Sequence, residues 1–101
     1  MRDIAREELI AELLALKPEF ERKGVTHVAL FGSRARRDNR PDSDIDLLID
    51  VSEWQKFSLI DLAGVTRAVE DRLGIPANMF MRRSLEPEFL AAVRDDQLPV
   101  F

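Results

Sequence analysis

Apolar residues recur along residues 3–16 at Ile4, Leu9, Ile10, Leu13 and Leu16, the spacing that gives a helix one buried face. Pro18 interrupts this pattern, a short helical turn runs on to Arg22, and Gly24 marks the exit. The period then changes. "VTHVALF", residues 25–31, is rich in β-branched and apolar types and too short for a helix, so it predicts a strand, ended by Gly32-Ser33. A helical turn over Ser33–Arg37 follows, then "DNRPDS", which is loop chemistry around Pro41. "DIDLLID", residues 44–50, predicts the second strand. Ser58 with Asp61 forms a capping-box pattern, and Leu59, Leu62, Val65, Ala68, Val69 and Leu73 carry a helix to Gly74, placed as its C-terminal cap. "ANMFM", residues 77–81, predicts a third strand, and Ser84 the cap of a last helix through about Arg94. Both central strands are apolar at alternate and some adjacent positions, as strands covered by helices are. The sum is a small α/β domain: a mixed β-sheet of at least three strands flanked by helices.

Length and composition narrow the class. A chain of 101 residues fills one domain, 1–101, with one real core. No apolar run approaches the roughly 20 residues a membrane-spanning helix needs, and no cationic, apolar leader opens the chain. With no cysteine there is no disulfide framework and no thiolate zinc site. A cytoplasmic protein with no membrane partner is expected. The net charge of −4 argues against strong nucleic-acid binding, which calls for a basic excess. The charge is uneven, however. Arg34, Arg36, Arg37 and Arg40 cluster ahead of a run of aspartates. A basic patch beside an acidic one suits a phosphorylated ligand held with a metal ion; a solvated turn would look the same.

The stretch "FGSRARRDNRPDSDIDLLID", residues 31–50, carries the candidate chemistry. Gly32 lets a phosphate approach the backbone, a helix N-terminus favours negative charge, and the Ser33 hydroxyl adds a donor. A plain turn with Ser33 as its cap would also account for the pair. Strand alternation puts Asp44 and Asp46 on one side, with Ile45 and Leu47 toward the core. Two adjacent carboxylates repel unless a cation lies between them, and Mg²⁺ takes oxygen ligands that it shares with substrate phosphates. Asp42, Asp44, Asp46, Asp50 and Glu53 also fall on calcium-loop positions, but Leu47 occupies the place where that loop needs glycine.

Gly32-Ser33, ten intervening residues and then Asp44-Ile45-Asp46 on the next strand together resemble the signature of the nucleotidyltransferase superfamily related to DNA polymerase beta. More narrowly, "LFGSRARRDNRPDSDIDLLI" resembles the stand-alone minimal nucleotidyltransferases, with the likeness reaching from "KPEFERKGV" to the "LPVF" end. The resemblance implies a polymerase beta palm-like fold. It implies transfer of a nucleoside monophosphate from a nucleoside triphosphate, AMP from ATP for choice, with two Mg²⁺ ions. Carried onto this chain, Gly32 and Ser33 hold the triphosphate and Asp44 and Asp46 ligate the metals. Arg36, and less firmly Arg34 and Arg40, bind phosphate oxygens. Relatives of this kind commonly pair with a HEPN-domain toxin and act as its antitoxin, in some cases by adenylylating it. The chain is too short for the extra domain with which larger relatives hold their acceptor, so the resemblance implies a HEPN-type partner that supplies an acceptor hydroxyl. Homo-oligomerisation is left open.

Two positions depart from the family pattern. Asn78 stands where a third carboxylate is expected. It can offer a metal its neutral carbonyl oxygen but cannot serve as a base. Either the chain is a weak or inactive transferase that still binds nucleotide and neutralises its partner by complex formation, or the register is shifted and another carboxylate serves. Arg37 stands where relatives usually have glycine. Elsewhere, His27 reads as a hydrogen-bonded structural residue. Trp54 and Phe57 read as packing on the adjacent helix rather than stacking on a base. Met79 and Met81 read as core, Phe80 shares the parity of Asn78, and "LPVF" either docks on the domain or faces a partner.

Overall fold

The structure is a computed structural model that describes residues 4–101. Helices α1 (Arg6–Ala15) and α2 (Lys17–Arg22) share Leu16 as a hinge, with Pro18 seated in the first turn of α2, where its missing N–H costs nothing. The predicted apolar face is borne out: Ile4, Leu9, Leu13 and Leu16 are buried. The helix opens at Arg6 rather than at residue 3, which lies outside the described residues.

Strands β1 (Val25–Phe31), β2 (Ile45–Val51), β3 (Ala77–Met81) and β4 (Leu98–Pro99) form one mixed sheet in the order β3-β2-β1-β4. β1 runs antiparallel to β2 and β4, while β2 and β3 are parallel, joined through α4 (Leu59–Leu73). Parallel neighbours require such a crossover. The fourth strand is the "LPVF" end, which docks on β1 and buries Val100. Its pairing with a strand some seventy residues away leaves no local signature.

One face of the sheet packs on α1, α2 and α4 around Val28, Leu30, Ile45, Leu47, Ile49, Val65, Val69 and Leu73. The other carries a smaller cluster, Ala29, Phe31 and Leu48, under Leu85, Leu90 and Val93 of the last helical segment, α5 (Pro87–Val93), and its approach. Helices therefore cover both faces, as expected, but the second face only in part.

The capping box of α4 is present as predicted: the Ser58 hydroxyl accepts from the Asp61 N–H, and the Asp61 carboxylate accepts from the Ser58 N–H at 3.0 Å. Gly74 ends the helix in the left-handed conformation. The bonds from Ser58, its backbone N–H first and its hydroxyl second, hold the Asp61 carboxyl below the usual aspartate range. A depressed carboxylate pKa contributes stability that is present above the unfolded value of 3.8 and is lost as pH falls through the folded value. Thermal melts between pH 5 and pH 2 should accordingly show a smaller acid loss for Asp61→Asn than for the wild type.

Ser84 does not cap the last helix. It ends a 3-10 turn, Arg82–Ser84, and α5 starts at Pro87 behind Glu86. Proline's fixed φ suits a first helical position, and this sets the boundary in place of the serine.

Candidate active site

β2 opens at Ile45, whose N–H donates to the Pro76 carbonyl at 2.9 Å, so Asp44 stands one residue ahead of the strand and Asp46 is its second residue. Ile45 and Leu47 are fully buried, Asp44 is exposed and Asp46 half-buried. The alternation thus turns both carboxylates away from the main core, toward the face that α5 partly covers. Asp46 lies opposite Phe31 on β1 and opposite Asn78 on β3. The Asn78 side-chain amide donates to Asp46 Oδ1 at 3.0 Å and to Asp44 Oδ2 at 3.3 Å. The strand register therefore brings Asn78 to both carboxylates. One neutral amide thus bridges the two acids.

Gly32 is the turn between β1 and α3 (Ser33–Arg36) and is itself the cap of that short helix, its carbonyl accepting from the N–H groups of Ala35 and Arg36 at 3.1 Å. Ser33 is the first helical residue rather than the cap. The N–H groups of Ser33 and Arg34 have no intrahelical acceptor. Gly32 takes φ 77° and ψ −159°, and a β-carbon on it would lie 2.4 Å from Asp46 Oδ2. The turn and the carboxylate are in direct contact, which the sequence spacing implied without fixing.

The arginines divide by role. Arg34 is 2 % exposed and does not face the site. Its guanidinium donates to the Ser43 carbonyl at 2.9 and 3.0 Å and to the Pro41 carbonyl at 3.3 Å, which ties down the loop ahead of Asp44. Its Nη1 is buried with no partner among the described residues. Arg36 pairs with Asp38 at 3.0 Å and with Asp96 at 3.1 Å. The hydrogen bonds to those carboxylates, Asp38 first, raise its pKa further. Asp96 was invisible to sequence reasoning, being sixty residues from its partner with no motif around it. Arg40 is exposed. Arg37 adopts φ 67°, the left-handed region, and pairs with Glu7. The position takes the left-handed backbone that glycine favours.

The other expectations separate in the same way. Phe57 is buried in the core, but Trp54 is 94 % exposed in the turn after β2, with no helix over it. His27 is exposed on β1 opposite Asp50, at the far end of the strand from Gly32. Among the described residues no three or more His, Cys, Asp or Glu side chains converge as a metal cluster, and no helix is long and apolar enough to cross a membrane. The converging oxygen donors are the two carboxylates, with the Asn78 amide oxygen available if the amide turns over. Such an all-oxygen, partial set fits a hard divalent cation that completes its shell with phosphate oxygens.

Comparison with known proteins agrees with this geometry. A nucleotidyltransferase domain model matches residues 13–96. The protein adenylyltransferase MntA of Thermococcus cleftensis is 34 % identical over 87 residues, which is 85 % of this chain and 86 % of that one. A solved structure of a protein put forward as a minimal nucleotidyltransferase superposes with a TM-score of 0.81 at 33 % identity, covering 95 % of this chain and 96 % of the other. The fold also matches the complex of a Shewanella oneidensis tri-AMPylated HEPN toxin with its MNT antitoxin, at a TM-score of 0.69 and 14 % identity, covering 95 % of this chain and 71 % of that one. The glycine turn, the aspartate pair and the strand that carries Asn78 all fall inside the matched span, and the protein belongs to the nucleotidyltransferase family, as an enzyme of its minimal type.

Proposed function

We propose that this chain transfers AMP from ATP to a hydroxyl group of a partner protein, and that the partner is a HEPN-type toxin which it restrains as an antitoxin. The observation that carries the reading is the contact of Gly32 with Asp46 beside Asp44 and Asn78, a triphosphate turn and a cation site in one place. The name of the Thermococcus cleftensis relative supports adenylyl transfer to protein, and the toxin–antitoxin complexes of like fold support the partner. We place the reaction in the cytoplasm, and a net charge of −4 goes with a protein rather than a nucleic-acid acceptor.

Asp44 and Asp46 would hold Mg²⁺, two ions on the family pattern, with Asn78 as a neutral third ligand. When bound, the metal neutralises triphosphate charge and holds the attacking and leaving oxygens in line. The Gly32-Ser33 turn receives the triphosphate, and Arg36, keeping its pair with Asp96, turns its remaining donors to the triphosphate oxygens. The acceptor oxygen forms a bond to the α-phosphorus as the bond to the bridging oxygen breaks, and pyrophosphate leaves. With asparagine at 78 the hydroxyl proton goes to solvent rather than to a third carboxylate, which slows the step. Incubation with ATP labelled at the α-phosphate and the product of the adjacent gene should transfer label to that protein. A tight complex that stays unlabelled would sink the transferase reading.

That second outcome belongs to a specific alternative, a nucleotide-binding module that neutralises its partner by complex formation. The Asn78 amide favours it, because it satisfies both carboxylates without any ion. Asn78→Asp separates the two. For a weakened enzyme, label transfer should rise about a hundredfold or more, as restoring a general base does. A module gains nothing from the change.

A further inference from the structure

The groups assembled at Gly32, Asp44, Asp46 and Asn78 are suited to phosphates and cations, and none of them suits a nucleobase. Trp54 cannot serve: it lies beyond Val51, and Ile45–Val51 alone spans about 20 Å of strand. An aromatic surface does adjoin the site. Phe31 ends β1 immediately before Gly32 and lies opposite Asp46. Phe80 is two residues beyond Asn78, on the same face. Phe89 reaches over from α5, with its ring centroid 6.1 Å from that of Phe31 and 6.1 Å from that of Phe80, while Phe31 and Phe80 are 5.6 Å apart. Phe31 is 5 % exposed and closes the base of the cluster; Phe89 is 38 % exposed and leaves it open to solvent. The Arg36–Asp96 pair ties the segment after α5 to the α3 turn, so this helix is anchored beside the phosphate turn rather than free to drift.

We propose that Phe89, backed by Phe31 and Phe80, is the stacking surface for the base of the bound nucleoside triphosphate. The inference rests on the nucleotide reading above and adds the group that receives the base. A ring held on its inner side by two others, and bare on its outer side, gives a base a rigid apolar face at little ordering cost. Stacking of that kind is indifferent to hydrogen-bond pattern, so it gives affinity and position more than base identity.

The test is equilibrium binding of two probes, ATP and inorganic triphosphate, each with Mg²⁺, to the full chain and to Phe89→Ala and Phe89→Trp. Phe89→Ala should weaken ATP about tenfold and leave triphosphate within about twofold, while Phe89→Trp keeps ATP affinity. Should Phe89→Ala lose its native circular dichroism, Phe89→Leu, which keeps apolar volume without a ring, decides by the same criterion. Unchanged ATP binding or an equal loss of both probes overturns the stacking role. A wild-type protein that binds neither probe overturns the nucleotide reading itself and this inference with it. A wild type that binds both, with Phe89→Ala indistinguishable, overturns this inference alone.

Discussion

Changing Asp44 and Asp46 together to asparagine should abolish metal-dependent ATP binding and lower nucleotidyl transfer by on the order of a thousandfold, the scale on which removal of positioned transition-state electrostatics acts. The fold should survive. Neither side chain is in the core: Asp44 is exposed and Asp46 half-buried, while the strand between and beyond them is held by fully buried Ile45 and Leu47. Asparagine keeps an oxygen for the Asn78 amide donors at 3.0 and 3.3 Å, and the mutual repulsion of two close carboxylates disappears. The melting temperature without metal should therefore hold or rise. Titration calorimetry with ATP, run with Mg²⁺ and again with a chelator, reads the effect. Affinity that remained Mg²⁺-dependent in the doubly changed protein would remove these carboxylates from the metal site.

How much of this was legible in the sequence depends on the range of each interaction. The two aspartates and the buried residue between them were legible because strand alternation is local, and Ile45 and Leu47 are buried as it requires. The capping box at Ser58 and Asp61 was legible for the same reason. The convergence of Asn78 on the pair came from resemblance, since the parallel register of β2 and β3 joins segments some thirty residues apart and is written in no short segment. Arg34 shows the opposite failure. Its charge suggested a phosphate ligand, but its neighbours Pro41 and Ser43 present bare loop carbonyls, and the guanidinium is consumed by them in the interior. The β4 pairing and the Arg36–Asp96 bridge join distant segments and left no trace in either stretch. Trp54 was expected to pack because tryptophan usually does; the turn it occupies has nothing above it.

Gly32→Ala should cost roughly 1–3 kcal/mol of stability and, separately, about a hundredfold in transfer. The two losses have different causes. At φ 77° and ψ −159° the backbone lies in a region that is essentially glycine's own, so a β-carbon strains the turn wherever its neighbours go. For a domain of this size that strain should lower the melting temperature by about 5–20 °C. The new β-carbon would also sit 2.4 Å from Asp46 Oδ2 and 3.3 Å from the Cβ and Cγ of the same residue. A carboxylate tip can swing aside cheaply, so the clash does not unfold the protein. It turns Asp46 away from Asp44 and Asn78, and a misplacement of about 1 Å at a reacting centre is enough for the catalytic loss. Measured well below its melting temperature, the alanine protein should be folded by circular dichroism yet bind Mg²⁺ and ATP weakly. Native affinity in that folded variant would show that triphosphate binding does not depend on the approach of this turn to Asp46.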